Sequence, residues 1–363
     1  FNWIESLVKT ESAFIIGAAK EQDGAGSLDK VLLLESQLLQ QGIKPVNLVI
    51  EPLKADWHSP EKEHRFRSGC APIEALAEAK KLVENGEDAV VISGEDHIKT
   101  GYSREERLSK MAVYGENYPL TQAYTDLAHA FNKHNNQTEQ QFKESASALF
   151  ENYQVSFRHA LADTFTAELL PDVRWYKPIT NLFRGVDCAN PMVDFSGRLL
   201  ITRSDIAEQL GVDKNQWLKI KAVGVSRLDG DGRDFITDIS RYKHLEQAYQ
   251  QACEEAEIDF VRLFKSGEAL LETYTCYPVV PMAFLLKSGL VDAVEDIPDF
   301  LEKHSITITG GMNLARAAWN NPALNGFVTM HKRLCDGPEK LGLIHGNGGL
   351  GYRQGIAIVE RVS

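Results

Sequence analysis

The sequence predicts an α/β fold, because short apolar strands alternate with helices along both halves of the chain. Near the amino end, residues 13–18 and 46–50 are apolar runs of strand length, and residues 28–41 between them place leucines at helical spacing. A second unit follows, in which a helix over 71–85 leads into a strand over 89–94. Strands joined by helices favour a mostly parallel sheet with helices covering its faces.

The second half of the chain repeats this order. Residues 217–226 form a predicted strand, which is followed by a helix over 240–256, a strand over 260–264 and a helix over 279–288. The apolar run over 305–311 then predicts a buried strand that breaks at its two glycines. Two similar series in one chain indicate an internal duplication, although few residues are identical between them.

A mainly helical stretch at about 97–180 interrupts the alternation, with aromatic and charged residues mixed. Its predicted helices cover 123–133, 139–151 and 156–168. The last strand of the first half follows at 195–202. We therefore predict a first half over 1–215, which contains this insertion, and a second half over 216–363.

The chain ends in a predicted antiparallel hairpin. Residues 341–351 are an apolar strand that opens into a glycine-rich turn, and residues 355–361 are a final short strand. The turn reads Gly346-x-Gly348-x-x-Gly351, a spacing that also occurs in dinucleotide-binding sites. Such a site needs a helix after the turn and an acidic residue about twenty positions later, and this sequence has neither. We therefore interpret the glycines as turn residues.

Composition and charge narrow the classes of function. The 363 residues are 43% hydrophobic and 25% charged, which suits a soluble globular protein with an ample core. No apolar stretch approaches the roughly 18 to 20 residues that a membrane span requires. A formal net charge of -12 argues against nucleic acid as a partner, while a local basic patch for a phosphate-bearing ligand is compatible with it.

The cysteines indicate a reducing compartment. Their number is odd and none are closely paired, so we expect free thiols and a cytoplasmic location. No Cys-x-x-Cys pair suggests zinc. The acidic turn over 229–234 invites a calcium interpretation, but its twelfth position is Ser240 rather than glutamate, so we interpret it as a surface turn and expect no metal.

Three features of the carboxyl end, in order, resemble the thiolase superfamily. They are Thr309-Gly310-Gly311, a helix ending near Lys332-Arg333-Leu334, and His345-Gly-Asn-Gly-Gly349 followed by Gly355-Ile-Ala-Ile-Val-Glu360. The variant is most similar to divergent thiolase-like proteins related to the sterol-carrier-protein-2 thiolases. This resemblance implies the thiolase-like fold, with duplicated βαβαβ halves forming a layered α-β-α-β-α core and a helical insertion. It also implies a homodimer and a coenzyme A thioester as substrate or ligand, with no covalently bound cofactor.

Two cysteines are candidate nucleophiles for thioester chemistry. Cys70 lies at a predicted helix start, where free amides and the helix dipole favour a thiolate. The thiolase nucleophile begins the same helix, although an ungapped count matches it to Gly69. Cys276 lies in Tyr274-Thr-Cys-Tyr-Pro278, where sterol-carrier-type enzymes have His-Asp-Cys-Phe. Each has a structural alternative, as a buried cap-region residue for Cys70 and a packed core residue for Cys276.

His345 takes the position of the hairpin cysteine that acts as acid and base in thiolases, and an imidazole titrates near neutral pH. A structural role at the end of an apolar strand is the alternative. Thiolases also carry a Gly-His-Pro motif, and the matching residues here are Arg316-Ala317-Ala318. The catalytic set that the resemblance implies is therefore incomplete.

Several polar or glycine residues are candidates for binding the substrate. Asn347 and the amides of Gly348 and Gly349 are candidates for an oxyanion hole. Gly310 and Gly311 allow a close approach of backbone to ligand, and Asn325 is a further binding candidate. Turn formation by the glycines and helix capping by the asparagine are the alternatives.

The resemblance leaves two hypotheses about function. The first is a thiolase-like acyltransferase, of the acetyl-CoA acetyltransferase type, that acts on acyl-CoA thioesters in lipid metabolism through Cys70 or Cys276 with His345 as base. The second is a non-catalytic protein that binds coenzyme A or an acyl chain, or supports a partner enzyme.

Overall fold

The computed structural model describes residues 12–56, 58 and 62–362. The first eleven residues of the predicted first half, its residues 57 and 59–61, and Ser363 of the second half lie outside the described residues. The strands of this part are β1 Phe14–Gln22, β2 Ala25–Ser27, β3 Val46–Ile50, β4 Arg65–Phe66, β5 Ala89–His97, β6 Asp194–Thr202, β7 Leu218–Arg227, β8 Ala269–Glu272, β9 Leu341–Gly348 and β10 Arg353–Arg361.

Helices follow the strands in both halves and in the insertion. They are α1 Asp29–Gln40, α2 Ala71–Glu84, α3 Arg104–Met111, α4 Leu120–His134, α5 Glu139–Leu161, α6 Ser204–Gln209, α7 Ile236–Ile239, α8 Lys243–Ala256, α9 Phe260–Lys265, α10 Val279–Lys287, α11 Ile297–Leu301, α12 Gly311–Leu314 and α13 Pro322–Asp336. None of the described helices is both long and apolar enough to cross a membrane.

The described strands form one mixed sheet in the order β4-β3-β5-β6-β1-β7-β10-β9-β8, with β2 beside β1. Strand β1 of the predicted first half pairs with β7 of the predicted second half, at Phe14 with Lys219 and Ile15 with Leu218. Only the pairs β3–β4, β3–β5 and β8–β9 are parallel among those described. The prediction of a mostly parallel sheet is therefore wrong, because β5 and β6 separate β3 from β1 and because β6 and β10 run antiparallel to their neighbours.

The helices complete the predicted layers. Helix α2 contacts β3 and β5 of the first half and also β7, β9 and β10 of the second, and α13 contacts β1, β6 and β9. These two helices form the middle layer, while α1 covers β1 and β6, and α8 covers β7 and β10. A helix packed between the two ends of one curved sheet must be apolar on most sides. The buried residues of α2 meet this requirement and are mostly small or branched: Ala71, Pro72, Ile73, Ala75, Leu76, Ala79 and Val83.

The predicted strand over 260–264 is wrong, since these residues form α9. Asp259 accepts a hydrogen bond from the Arg262 amide and so caps the helix. Phe260 and Phe264 lie one turn apart and stack with ring centroids 5.8 Å apart, so their spacing suits a helix. The strand of this unit is β8, a few residues later.

The segment over 305–311 also differs from its prediction, because it forms no strand. It lies beside β8, where the Thr273 amide donates to the carbonyl of Ile306. The amides of Ile308 and Thr309, however, donate to the Glu272 carboxylate at 2.7 and 3.1 Å. At this edge of the sheet, the Glu272 side chain therefore accepts hydrogen bonds that the backbone of a neighbouring strand would otherwise accept. The predicted break is present, since Gly310 and Gly311 have φ values of 97° and 72°.

In the insertion, α5 runs without a break from Glu139 to Leu161, so the two predicted helices over 139–151 and 156–168 are one helix that ends earlier. Asn152 lies inside it and donates to the carbonyls of Leu301 and His304 at 2.8 Å, so this polar residue joins the helix to the second half. The predicted helix over 240–256 begins later, at Lys243, after Tyr242 in a left-handed conformation. The terminal hairpin is confirmed as β9 and β10.

Candidate functional site

The terminal hairpin lies against the start of α2, and glycines make this contact possible. A Cβ atom at Gly355 would lie 2.7 Å from the Cys70 Sγ, and one at Gly348 would lie 3.3 Å from the Cys70 Cβ. A Cβ atom at Gly346 would lie 3.2 Å from the Cα of Cys70. The hairpin therefore encloses Cys70, which is fully buried.

This enclosure determines the chemistry of Cys70. Its amide donates to the Ser68 Oγ at 3.2 Å, and its position at the N-terminus of α2 matches the prediction. Burial raises the pKa of the Cys70 thiol well above its usual value, and the nearby Glu74 raises it further, while Arg353 acts in the opposite direction. The thiol stays protonated at neutral pH.

Gly69, the residue that an ungapped count matches to the thiolase nucleophile, faces Tyr274. A Cβ at Gly69 would overlap the Tyr274 hydroxyl and the carbonyl oxygen of Asn347. The tyrosine hydroxyl thus fills the space into which a side chain at position 69 would project.

Cys276 lies on the wall of a cavity of about 200 Å³, the Cys276 pocket. Most of its wall is apolar, and the polar residues in its lining include Asn347 and three tyrosines. The residues that define it are Met111, Leu120, Tyr124, Ala189, Pro191, Tyr274, Cys276, Tyr277, Met312, Ala317, Trp319, Asn347 and Gly349. Such a cavity, apolar with a few directed polar groups, is typical of small-molecule sites.

The Cys276 thiol is held by the insertion. Its Sγ donates to the Tyr124 hydroxyl at 3.4 Å, and Tyr124 in turn donates to the carbonyl of Gly349 at 2.9 Å. The Tyr124 ring stacks on Tyr277 with centroids 4.0 Å apart. Burial raises the pKa of the Cys276 thiol to about 12, although the hydrogen bond with Tyr124 lowers it somewhat.

A chain of hydrogen bonds links this pocket to His345. Asn347 donates from Nδ2 to the Tyr124 hydroxyl at 3.4 Å and accepts at Oδ1 from the Gln354 Nε2 at 2.6 Å. The Gln354 Oε1 lies 2.8 Å from the His345 Nε2. Because this oxygen is an acceptor, the His345 Nε2 carries the proton.

The other ring nitrogen of His345 agrees with this assignment. The Tyr274 amide donates to the Nδ1 lone pair at 3.4 Å. Burial lowers the pKa of His345 to about 4, which the hydrogen bond with Gln354 opposes. The imidazole is therefore neutral at pH 7, and both nitrogens have partners in the core.

Tyr274 separates His345 from the Cys276 pocket. A small void on the far side of the tyrosine has a volume of about 10 Å³, which is close to the space that one water needs. We call it the His345 void, and its lining includes Gly311, Arg316, Asn325 and His345.

The remaining candidate residues lie in different places. Gly349 lines the Cys276 pocket, while Gly348 faces the Ser68 Oγ, which would lie 2.7 Å from an added Cβ. Gly310 faces Phe157 of α5, where a Cβ would come within 2.5 Å of the phenylalanine Cβ. The structure thus gathers Cys70, Cys276 and His345 around Tyr274, but only Cys276 lines the larger cavity.

Sequence reasoning missed Tyr124, Gln354 and the blocking role of Tyr274. For Gln354 a signal existed, since it pairs directly with Asn347 across the hairpin, and directly opposed residues share a face. For Tyr124 no such signal exists, because the inserted helix α4 reaches the pocket only through tertiary packing.

The acidic turn contacts the terminal hairpin through Asp231. The Asp231 carboxylate accepts from the Tyr114 hydroxyl at 2.7 Å and from the Leu350 amide at 3.1 Å. Within residues 12–56, 58 and 62–362, no group of three or more His, Cys, Asp or Glu side chains is placed to hold a metal ion.

Solved structures share this fold. No family profile and no curated protein sequence matches the chain. A monomeric SCP2-thiolase-like protein type 1 from Mycobacterium smegmatis superimposes with a TM-score of 0.70 and 15% identity, over 98% of this chain and 78% of its own. The Ltp2-ChsH2(DUF35) aldolase gives a TM-score of 0.63 and 14% identity over 96% of this chain and 98% of its own.

A third structure is the Acat5 thiolase from Ascaris suum in complex with coenzyme A. It superimposes with a TM-score of 0.61 and 11% identity, over 97% of this chain and 100% of its own. The chain therefore has the thiolase-like fold, which confirms the predicted fold class. At these identities it is a divergent example of that fold.

Proposed function

We propose that this protein binds an acyl-CoA thioester in the Cys276 pocket without forming an acyl-cysteine intermediate. The observation that carries the proposal is the state of Cys276: it lies on the pocket wall, yet its pKa is about 12 and its thiol donates to Tyr124. The solved neighbour with bound coenzyme A supports the ligand class.

The pocket offers groups for both parts of such a ligand. The acyl chain would contact Met111, Leu120 and Met312, since burial of apolar surface supplies most of the binding free energy. The thioester carbonyl would accept from Asn347, whose Nδ2 has a second hydrogen besides the one that it donates to Tyr124.

Covalent catalysis would need a thiolate and a base to generate it. Burial keeps both candidate thiols protonated at neutral pH. A histidine whose pKa is about 4 is a weak base, and the His345 Nδ1 lone pair accepts from the Tyr274 amide. These features favour binding over acyl transfer and make up the degraded catalytic set that we propose.

The second candidate function is acyl transfer of the acetyl-CoA acetyltransferase type, with Cys276 as the nucleophile. One observation favours it, namely that Cys276 lines the pocket in which a thioester would lie. It requires that ligand binding lower the pKa of this thiol by several units.

Calorimetric titration with octanoyl-CoA, together with intact-mass measurement after incubation with acetyl-CoA, tests both candidates. We expect one ligand per chain, at least tenfold weaker binding for Met111→Trp, which fills the pocket, and little change for Cys276→Ser. We also expect no acetyl adduct. A wild-type protein that fails to bind refutes the proposal, and an adduct that disappears in Cys276→Ser establishes acyl transfer instead.

Assembly and location extend the proposal. The homodimer stays a prediction, since one solved neighbour is described as monomeric and another as an Ltp2-ChsH2(DUF35) aldolase. Light scattering at micromolar concentration measures the state directly. We also propose a cytoplasmic location, because the five cysteines form no disulfide in the structure. A role in lipid metabolism follows only from the proposed acyl-CoA ligand.

A further inference from the structure

A second, larger cavity lies between β1 and α13, away from the Cys276 pocket. Its volume is about 890 Å³, and we call it the Lys20 groove. One end shares Thr309, Arg316 and Asn325 with the His345 void. The residues that define the groove for this purpose are Lys20, Phe157, Leu161, Leu169, Thr309, Leu314, Arg316, Asn325, Val328 and Thr329.

Lys20 provides a positive charge inside this groove. Its Nζ donates to the Asn325 Oδ1 at 2.5 Å and to the Thr329 Oγ1 at 3.2 Å, which uses two of its three hydrogens. The opposite charge that acts on it is Glu272, whose oxygens already accept from the Thr309 hydroxyl and from the amides of Ile308 and Thr309. Burial lowers the pKa of Lys20 to about 8 even with Glu272 present, so its charge is only partly compensated.

Arg316 provides a second positive charge at the same end of the groove. Its backbone has φ of 61°, in the left-handed region that glycine adopts most easily. The matching thiolase residue is the glycine of Gly-His-Pro. Among the described residues, the Arg316 side chain has no hydrogen bond, ion pair or ring contact. An arginine at a position that favours glycine, with its guanidinium free in a cavity, indicates a ligand.

The other charged side chains of the groove already have a partner, which is an opposite charge for Asp23, Lys332 and Asp336 and a neutral acceptor for Lys30. Lys332 donates to the Asp336 carboxylate at 2.5 Å, and Lys30 donates to the Gln216 Oε1 at 3.3 Å. Within the part of the chain that the structure describes, Lys20 keeps one hydrogen free for a ligand and Arg316 keeps all of its donors free, so an anionic group fits between these two side chains. Next to these cations the walls are apolar, with Leu161, Leu169 and Leu314 facing the cavity.

We propose that the Lys20 groove binds an aliphatic carboxylic acid, with the carboxylate between Lys20 and Arg316 and the hydrocarbon chain along the leucine walls. The planar guanidinium offers two parallel donors that suit a carboxylate. Each methylene group that is buried against the apolar walls strengthens binding. This site is separate from the Cys276 pocket and does not depend on the function proposed for it.

Calorimetric titration with octanoate at pH 7 tests the site, with acetate and 1-octanol as matched ligands. We expect octanoate to bind once per chain. Acetate, which lacks the chain, and 1-octanol, which lacks the charge, should each bind at least tenfold more weakly. Octanoate that does not bind, or acetate that binds as tightly as octanoate, overturns the proposal.

Variants locate the site. Arg316→Asn removes the guanidinium, while asparagine tolerates a left-handed backbone, so we expect an unchanged melting temperature and at least tenfold weaker octanoate binding. Lys332→Gln, which removes a paired charge of the same groove, should change the affinity less than twofold. Met111→Trp should leave octanoate binding intact. Octanoate binding that survives Arg316→Asn, or that Met111→Trp abolishes, contradicts this assignment.

Discussion

Cys70 and Cys276 are both buried thiols just before a helix, yet their surroundings differ. The glycines of the hairpin let β9 and β10 close over Cys70, whereas Cys276 faces a cavity and donates to Tyr124. Burial nevertheless raises the pKa of both thiols. A helix N-terminus is worth about 0.3 to 1 kcal/mol, while burial shifts a pKa by up to 3–5 units at about 1.4 kcal/mol each. The environment therefore outweighs the helix dipole, and the sequence motif alone does not identify a reactive cysteine.

The largest expected effect comes from filling the space between the hairpin and Cys70. Gly355→Ala places a Cβ 2.7 Å from the Cys70 Sγ and 2.9 Å from the Ile73 Cβ, so we expect a loss of about 3 kcal/mol in the free energy of unfolding, measured with urea.

The Cys70→Ala background provides the control. Removal of the sulfur should reduce the cost of Gly355→Ala by about 1 kcal/mol or more, since residues in contact are coupled. An equal cost in both backgrounds would show that the hairpin does not close on this thiol.

The next largest effect is expected at Gln354, which joins His345 to Asn347 by hydrogen bonds. Gln354→Leu leaves the His345 Nε2 and the Asn347 Oδ1 without their partner, which should cost about 1–3 kcal/mol. Gln354→Glu keeps an acceptor for the imidazole and adds a negative charge, so the pKa of His345 should rise from about 4, as NMR titration of the ring would show. A pKa that does not move contradicts the contact.

A carboxyl at the end of β8 tests the same rule of burial. Burial raises the pKa of Glu272 from 4.5 to about 7, so the folded state binds this proton more tightly than the unfolded state does. The stability that comes from this tighter proton binding is fully present below about pH 4.5, and it is lost as the pH rises from about 4.5 to about 7.

Glu272→Gln should remove this pH-dependent loss of stability, because glutamine does not titrate. We expect the decrease in unfolding free energy between pH 5 and 7.5 to be smaller in the variant by on the order of 1–2 kcal/mol. Parallel pH profiles for the two proteins would mean that Glu272 titrates normally.

The smallest effect is that of the Tyr124 hydroxyl. Tyr124→Phe removes the acceptor of the Cys276 thiol and the donor to Gly349, at an expected cost of about 1 kcal/mol. Tyr242→Phe is the matched control, because the Tyr242 hydroxyl is buried without a hydrogen-bond partner among the described residues. Its removal should be neutral or stabilising, and equal losses in the two variants would argue against a role for the hydroxyl of Tyr124.

Local patterns predicted the elements that local forces determine. The hairpin, α2 and the thiolase-like fold followed from turn glycines, a proline in the first helical turn and a motif order. The strands over 260–264 and 305–311 were predicted wrongly, because a short apolar run does not distinguish strand from helix and because the Glu272 side chain takes the place of a neighbouring strand.

The site was less predictable for the same reason. Its candidate cysteines were visible in the sequence, but the partner of Cys276 is Tyr124 of the insertion, 152 residues away along the chain. Tyr274 was visible as a departure from the family motif, yet its position over Gly69 depends on packing between the two halves.

Cysteine reactivity tests the central claim most directly. The native protein would be treated with limiting iodoacetamide at pH 7, and the modified cysteines would be mapped by mass spectrometry, with urea-unfolded protein as the control. We predict that Cys70 and Cys276 react at least about a hundredfold more slowly than a free cysteine and reach its rate only after unfolding. A native Cys276 that reacts as fast as a free thiol, or faster, would show a thiolate and contradict binding without covalent catalysis.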